Sequence, residues 1–445
     1  MPGGMHDRRR ERPPSADGEA EAARREARNT LWLELHQVIV RVGWIFKTET
    51  IIMPAVLDAV VDSGALRGLL PVLNRGGQSV PPLLFSGTLA RRPLKKWVLV
   101  VTSAMMAAAF AVLAAAWAPL EARRPDLLAL LFLVVYAVFS SSNGLNQLVL
   151  AALQGKLIAP GHRGRAMLVS VALGSVAAIV AALVWLGRWL EEADGFPKIF
   201  AATAVFFALA ALVPPFLDEP ADPPDEDRSA GGRSRGWRAW LAEGIADWRR
   251  TLARDPSLVR LTVVAACFSA VLILFPHYQA FARDRLGSRI GSLLTWVVVQ
   301  NAATGTASLV VGPISDRRGT RNVLVWLVAL SAVTPLLVAA LGRLAHGVAV
   351  EWFWLVYVPL GLNPLSLKVF TNYALELAPT RADHPRYVSI VGGALAAPFV
   401  LSPAVGFAVD RYGFEPAFLV GAAIIAGGAA VAAGLPEPRQ RHRPG

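Results

Sequence analysis

Hydrophobic residues along the chain fall in blocks of about 20 residues, separated by shorter polar segments. A helical block of that length matches the hydrocarbon thickness of a bilayer. Lipid offers no hydrogen-bond partners to an open backbone, so each block is predicted to be a helix. Twelve such blocks are present, at roughly 35–57, 66–90, 97–117, 127–152, 166–187, 197–216, 258–281, 290–314, 322–342, 350–375, 386–408 and 415–435.

Composition supports an all-α integral membrane protein. Charged residues make up 17% of the chain, whereas soluble domains carry about 25%. The longest polar interval lies between the sixth and seventh blocks and divides the chain into two sets of six helices. The predicted organisation is a disordered basic tail (1–32), a six-helix bundle (33–216), a linker (217–257), a second six-helix bundle (258–435) and a tail (436–445).

The two halves share landmarks at a nearly constant spacing of about 219 to 226 residues. The landmarks are Pro54 with Pro276, Asn74-Arg75 with Gln300-Asn301, Gly87 with Gly312, and the KLIAP segment ending at Pro160 with the ELAP segment ending at Pro379. Single matches arise by chance, but a constant spacing over four landmarks does not. An internal repeat in a membrane protein indicates a transporter whose site lies between the repeats.

The linker ends in an amphipathic stretch at 237–254, where tryptophan and aliphatic residues recur at helical spacing beside arginines. Its apolar members are Trp237, Trp240, Leu241, Ile245, Trp248 and Leu252, and its basic members are Arg238, Arg249, Arg250 and Arg254. Two interpretations stay open. The helix lies flat in the membrane interface, which is typical of basic, tryptophan-rich helices, or it packs on the protein as a linker helix.

The net charge of +12 reflects loops and tails rather than a surface for nucleic acid, because the basic residues alternate with the spans. With a cytoplasmic N-terminus, 29 of the 44 Lys and Arg residues fall on the cytoplasmic side. This distribution predicts both termini in the cytoplasm and a location in the cell membrane. The single cysteine, Cys267, excludes disulfides and a cysteine-based metal site, and no apolar signal peptide precedes the first span.

One loop carries the most specific motif in the chain. Residues 312–321 read GPISDRRGTR, which resembles the signature G-x-x-x-D-R/K-x-G-R/K-R/K between the second and third helices of each half in the major facilitator superfamily. The matching residues are Gly312, Asp316, Arg317, Gly319 and Arg321. The resemblance implies two six-helix bundles around a central cavity lined by helices 1, 4, 7 and 10. It also implies alternating access, with Asp316 and Arg317 in a gating role.

The first copy of this motif, GTLARRPLKK at 87–96, departs from the signature. It keeps Gly87 and the basic Arg92, but Arg91 stands in place of the aspartate and Leu94 in place of the second glycine. The gating element of the first half is therefore expected to differ from that of the second half.

Charged residues within spans are costly in lipid and indicate function by default. In helix 1, Lys47 is predicted to be a substrate or counter-ion group and Glu49 a proton carrier. The alternative for Lys47 is that it pairs structurally with another helix or extends toward the membrane surface. Lys47 and Glu49 are two residues apart, so on an ideal helix they point about 200° apart and form no local pair.

The other candidates for the cavity are polar residues within helices 2, 4, 7, 8 and 10. Several share a helical face with another member. The amides of helix 4 form either part of a binding site or interhelical hydrogen bonds, whereas the alternative for Arg75, His277 and Lys368 is a position near one end of the span, away from the substrate. The full set of these candidates is Arg75, Gln78, Asn143, Asn146, Gln147, His277, Gln300, Asn301, Asn363, Lys368 and Asn372.

Among the candidate residues, three are basic (Lys47, Arg75 and Lys368) and one is acidic (Glu49). If several of them face the cavity, its potential is positive, which favours an organic anion or another polar metabolite. We therefore expect a monomeric secondary transporter in the lipid bilayer, acting on a small molecule without a cofactor. A drug exporter is the nearest alternative, and a lipid-handling or sensor protein on the same scaffold is another. No ATP-binding or hydrolase motif occurs in the sequence, which argues against a pump or an enzyme.

Overall fold

The computed structural model describes residues 16–222, 237–289, 291–380 and 383–437. In these residues the regular structure is helical, which confirms the predicted all-α class. The spans are span 1 (Ala16–Phe46 and Ile52–Val60), span 2 (Leu69–Ala90), span 3 (Lys96–Glu121), span 4 (Pro125–Leu157), span 5 (Pro160–Ala181, Ala182–Leu186 and Gly187–Glu191), span 6 (Gly195–Ala211 and Pro214–Phe216), span 7 (Pro256–Leu286), span 8 (Ser292–Arg318), span 9 (Thr320–Leu341), span 10 (His346–Trp352, Phe353–Val356, Tyr357–Leu360 and Asn363–Leu377), span 11 (His384–Ala396, Ala397–Leu401 and Ser402–Tyr412) and span 12 (Phe414–Ala433).

Spans 1 and 2 are the least apolar of the set. Ten helices among the described residues are long and apolar enough to cross a membrane, and they correspond to spans 3 to 12. Span 1 is interrupted after Phe46, and span 2 carries Asn74, Arg75 and Gln78. The two spans with the lowest hydropathy both carry charged residues, which are Lys47 and Glu49 in span 1 and Arg75 in span 2.

Packed aromatic side chains join the spans within each bundle. In the first bundle, the Phe110 ring lies 5.0 Å from that of Phe139 and 5.9 Å from that of Phe200, which joins spans 3, 4 and 6. In the second bundle, the Phe281 ring lies 5.6 Å from Phe414 and 5.8 Å from Phe418. Aromatic pairs at these distances attract beyond their area of contact, which matters in lipid because apolar surface gains nothing by leaving it.

One face of the membrane region carries both ends of the described chain, and we call it the terminal face. There the buried carboxylate of Glu219, just after span 6, accepts hydrogen bonds from the backbone N–H groups of Lys95 and Lys96 and from the Lys156 amine. A carboxylate at the start of span 3 satisfies free amides and suits the positive end of the helix dipole. Hydrogen bonds from Lys156 and then from Lys95 lower the pKa of the neighbouring Asp222 carboxyl. This cluster ties spans 2, 3, 4 and 6 together.

The second bundle has a corresponding arrangement around Gly319, which precedes span 9. Thr320 donates a 2.8 Å hydrogen bond to the Glu376 carboxylate, and Glu437, which follows span 12, lies against Gly319. Gly319 has φ +87° and ψ 151°, a backbone conformation that is essentially restricted to glycine.

The Gly319→Ala variant is expected to lower the melting temperature of the purified protein. A Cβ at this position would lie 2.3 Å from a Glu437 carboxylate oxygen, and the backbone strain costs roughly 1–3 kcal/mol. Gly427→Ala is the matched control, since a Cβ there has nothing within 4 Å. Equal melting temperatures for the two variants would show that the Gly319 conformation is not required.

The linker helix (Trp237–Arg254) packs on the second bundle through the part that the structure describes fully. The Asp247 carboxylate pairs with Arg386 at 2.8 Å, and the Trp248 ring lies against Gly393. The arginines Arg249, Arg250 and Arg254 are exposed on the other side. Residues 246–254 thus favour the interpretation of a linker helix packed on protein, whereas the side chains of 237–245 lie outside the described residues.

Candidate substrate cavity

A cavity of about 510 Å³ lies between the two bundles. Spans 1, 4, 7 and 10 line it, as the family resemblance implies. Spans 2, 8 and 11 also contribute lining residues. Both halves of the repeat therefore contribute to one site, as expected for a transporter built from two repeats.

Span 1 unwinds where it reaches the cavity. The helix ends at Phe46 and restarts at Ile52, and the Thr48 carbonyl accepts the N–H groups of Ile51, Ile52 and Met53 at 3.3, 2.8 and 3.2 Å. Pro54 explains the break, because it has no N–H for the Thr50 carbonyl and its ring would collide with that carbonyl in a continuous helix. Placed in the first turn of the second segment, the same proline is tolerated.

This break overturns the expectation that Lys47 and Glu49 form no local pair. The Lys47 amine lies 2.6 Å from a Glu49 carboxylate oxygen. The expectation assumed an ideal helix, and the backbone between the two residues is not helical. The Lys47 side chain is fully buried, with its amine 3.1 Å from the centre of the Trp44 ring and 4.2 Å from that of Phe139. Lys47 is thus held behind the cavity wall, and Glu49 is the member of the pair that lines the cavity.

Spans 2 and 4 approach closely beside the cavity because both carry glycine at the contact. A Cβ on Gly144 would lie 2.5 Å from the Gly77 carbonyl oxygen. On the cavity side of this contact, Gln78 donates to Asn74 at 2.8 Å and Asn74 donates to the Tyr136 hydroxyl at 3.2 Å. The hydrogen bonds fix the amides of span 2 in position next to Arg75.

Nine of the predicted candidates line this cavity. They are Glu49, Arg75, Gln78, Asn143, Gln147, Gln300, Asn301, Asn363 and Lys368. Four other candidates do not line it. Lys47 is paired with Glu49 behind the wall, and Asn146 donates hydrogen bonds to Thr102 and Ser103 at 3.0 and 2.9 Å. His277 is buried within the second bundle, and Asn372 is exposed elsewhere on span 10. Which of the nine contact a substrate remains a prediction.

The cavity also contains residues that the sequence-based selection passed over, above all Arg41. Arg41 is a charged residue within helix 1, and a charge in a membrane span by itself indicates a functional role. Arg41, Arg75 and Lys368 all line the cavity, and none of them forms an ion pair with a described residue. Glu49 is the acidic member of the lining, and its charge is already matched by that of Lys47.

Several polar atoms in the cavity wall are buried yet lack a hydrogen-bond partner in the described structure. They are the Nε atoms of Arg41 and Arg75, the Asn143 Oδ1 and the Asn363 Nδ2. Buried polar atoms are normally satisfied, so three donors and one acceptor without partners are consistent with a wall that is completed by a ligand or by water.

The far side of the cavity, opposite the terminal face, is closed by charged residues from both bundles. Arg283 of span 7 contacts Asp58 at 3.3 Å and Asp62 at 2.8 Å, and the buried Arg67 pairs with Asp58 at 2.7 Å. The backbone N–H of Gly64 donates to both oxygens of Asp410. At the centre, Thr50 donates to Gln300 at 2.7 Å. These contacts join the two bundles on the far side of the cavity.

The predicted gating signature is described only in part. Gly319 begins the turn before span 9, and Arg321 donates to the Ala433 carbonyl. The side chains of Asp316 and Arg317, and the surroundings of Gly87 and Gly312, lie outside the described residues. In the first copy, Arg91 and Arg92 are exposed. The gating role stays a prediction.

Comparison with known proteins agrees with this architecture. Residues 285–445 match the sequence profile of the Major Facilitator Superfamily. No curated protein matches the chain in sequence.

Solved transporters share the fold at low sequence identity. A POT family transporter in complex with 5-aminolevulinic acid is 13% identical, with a TM-score of 0.71 over 93% of this chain and 96% of that one. The D-xylose-proton symporter is 12% identical, with a TM-score of 0.66 over 91% and 98%. The nucleoside transporter NupG is 15% identical, with a TM-score of 0.63 over 91% and 99%. At these identities the likeness concerns the fold alone.

Proposed function

We propose that this chain, which belongs to the major facilitator superfamily and is an integral membrane transporter, carries a small organic anion by alternating access. Three unpaired cations in the cavity wall carry this proposal. Arg41 and Arg75 come from the first bundle and Lys368 from the second, so an anion bound among them would touch both halves of the carrier. In a site of low dielectric, unpaired positive charges attract an anionic ligand strongly.

The amides in the wall narrow the class of anion further. Asn143, Gln147 and Asn301 line the same cavity and present both donors and acceptors. A ligand with hydroxyl or carbonyl groups beside its acidic group would satisfy them, and a purely lipophilic anion would not. A polar carboxylate or a small phosphorylated metabolite fits this lining best.

The two alternatives fit the cavity less well. A drug exporter for lipophilic cations needs an acidic cavity, and Glu49 is here matched by Lys47. A lipid-handling function drew its support from the amphipathic linker helix, whose described part packs on the second bundle. Removing the linker helix would abolish activity under that alternative, and would only weaken it in a solute transporter.

A thermal-shift screen of the purified protein tests the substrate class. A ligand at 100 times its Kd adds about 2.7 kcal/mol of stability. Polar organic anions are expected to raise the melting temperature, whereas sugars, neutral amino acids and lipophilic cations leave it unchanged. Stabilisation by lipophilic cations alone would contradict the proposal and favour export of drugs.

We also propose that Glu49 couples a proton to the anion. Protonation of Glu49 would remove the one negative charge of the cavity wall while Lys47 stays beside it. The potential in the cavity then becomes more positive, so the proton and the anion would favour each other's binding.

The Glu49→Gln variant is therefore expected to bind the anion with an affinity that no longer depends on pH. Glutamine imitates the protonated side chain, so affinity should match that of the unmodified protein at low pH. Titrations of anion binding at a series of pH values measure this. Glu351→Gln, an exposed carboxylate at the start of span 10, is the control. Full pH dependence in Glu49→Gln would refute the role of Glu49.

The distribution of basic residues supports a cytoplasmic terminal face and a location in the cell membrane. In that orientation, the cavity closed on its far side belongs to an inward-facing carrier. We further propose that a monomer is sufficient for transport, since the described cavity is built from one chain.

A further inference from the structure

The degenerate first copy of the signature borders a second cavity, which lies outside the proposed transport pathway. This apolar groove of about 480 Å³ is formed by spans 2, 3 and 4 at the terminal face. Phe85, Leu94, Val101 and Leu148 are among its walls, and Arg92 lies at its rim. Phe85 and Val101 are more than half exposed, so the groove opens sideways to lipid rather than to the central cavity.

Arg92, which lines the groove, and its chain neighbour Arg91 have no side-chain partners among the described residues. The neighbouring basic residues are already occupied: Lys95 pairs with Asp222, and the Lys96 amine donates to the Leu217 carbonyl at 2.8 Å. Arg91 and Arg92 are exposed and make no described side-chain hydrogen bond or ion pair. Two positive charges that form no ion pair with a described residue therefore lie beside an apolar groove at the membrane surface.

The depth of the groove fits a membrane lipid. Phe85 lies in the last two turns of span 2 and Arg92 in the turn after the helix ends at Ala90, so the groove extends from that turn back along the end of the helix. Trp97 also lines the groove and is half exposed, as aromatic side chains are at the boundary between headgroups and acyl chains. The arginines are then level with the phosphates, and the apolar walls are level with the first part of the acyl chains.

We infer that this groove is a binding site for one anionic phospholipid of the leaflet at the terminal face. The headgroup phosphate contacts Arg91 and Arg92, and an acyl chain lies along Leu94, Val101 and Leu148. The departures from the signature acquire a role in this arrangement. Arg91 supplies a cation where the signature has a carboxylate, and Leu94 supplies an apolar wall where the signature has a glycine.

Native mass spectrometry of the full chain, released from nanodiscs of phosphatidylglycerol and phosphatidylcholine mixed in equal amounts, tests the inference. We expect one retained phosphatidylglycerol per protein. The double variant Arg91→Gln/Arg92→Gln is expected to reduce its retention about tenfold, since each basic residue near the surface contributes substantially to binding of anionic lipid. Val101→Trp, which fills the groove and leaves both arginines, should reduce retention as well.

The matched control is Arg123→Gln/Arg124→Gln, which removes an adjacent and exposed arginine pair from the same bundle at the opposite face. It should retain phosphatidylglycerol like the unmodified protein. Equal loss in both double variants, unchanged retention in Arg91→Gln/Arg92→Gln, or equal retention of phosphatidylcholine would overturn the inference. A protein dimer without lipid would overturn it too, because the groove would then be covered by a second copy.

Discussion

The Arg75→Gln variant is expected to lose binding of the organic anion by about ten- to a hundredfold, since a hydrogen bond to a charged group is worth roughly 1.5–3 kcal/mol. Arg75 stands in the wall of the central cavity with a buried Nε atom that has no partner in the described structure. Glutamine keeps a polar side chain of similar reach and removes the charge, so folding should be preserved. Isothermal titration with the anion that gives the largest thermal shift measures the change.

Arg188→Gln is the control for this experiment. Arg188 is exposed at the far end of span 5, and its side chain forms a surface pair with Glu192, which is worth little. The control should bind the anion normally. Normal binding by Arg75→Gln would mean that the charge of Arg75 does not contact the substrate.

The Asp58→Asn variant is expected to open the far side of the carrier. Asp58 is fully buried and lies between Arg67 of the first bundle and Arg283 of the second. Without its charge, the two arginines share the exposed Asp62, and Arg283 keeps its pair with Asp284. Removing one partner of a buried pair costs about 3–5 kcal/mol. Arg67 and Asp58 belong to the same bundle, so only the loss of the Arg283–Asp58 contact changes the closed state alone. A contact of this kind is worth roughly 1.5–3 kcal/mol, which shifts the ratio of open to closed carriers about ten- to a hundredfold.

Spin labels on opposite bundles at the far side measure this shift. Suitable positions are the exposed Arg123 and Leu344, each replaced by cysteine after Cys267→Ser. A longer distance should become dominant in Asp58→Asn. The control is Asp194→Asn, whose carboxylate pairs with Lys198 on the surface of the first bundle and does not bridge the bundles. An unchanged distance distribution in Asp58→Asn would show that these ion pairs do not hold the far side closed.

The fold was predictable because the sequence patterns that specify it extend over many residues and occur in both halves of the chain. Twelve apolar blocks, a polar interval in the middle and landmarks at constant spacing specify two similar bundles before any contact is known. The weakest blocks, spans 1 and 2, turned out to bring Glu49 and Arg75 to the cavity. Their low hydrophobicity was therefore a signal of the site.

The geometry within the site was less predictable. Helical spacing assigned Lys47 and Glu49 to different faces, and the break that Pro54 causes brought them together. The equivalent Pro276 lies inside an uninterrupted helix, so the motif alone does not determine whether the helix breaks. Asn143, Asn146 and His277 are all polar residues within apolar spans, and Asn143 alone of the three lines the cavity. Asn146 donates hydrogen bonds to Thr102 and Ser103, and His277 is buried in the second bundle. Orientation about a helix axis depends on neighbours that a single helix does not show.

The measurement that tests the central claim most directly is uptake into proteoliposomes. Purified protein would be supplied with labelled polar organic anions, with neutral sugars and with lipophilic cations, under a proton gradient and without one. The account predicts uptake of at least one anion class, lost in Arg75→Gln and retained in Arg188→Gln. Transport of cations or sugars that is indifferent to Arg75 would contradict the account of a positive, anion-binding cavity.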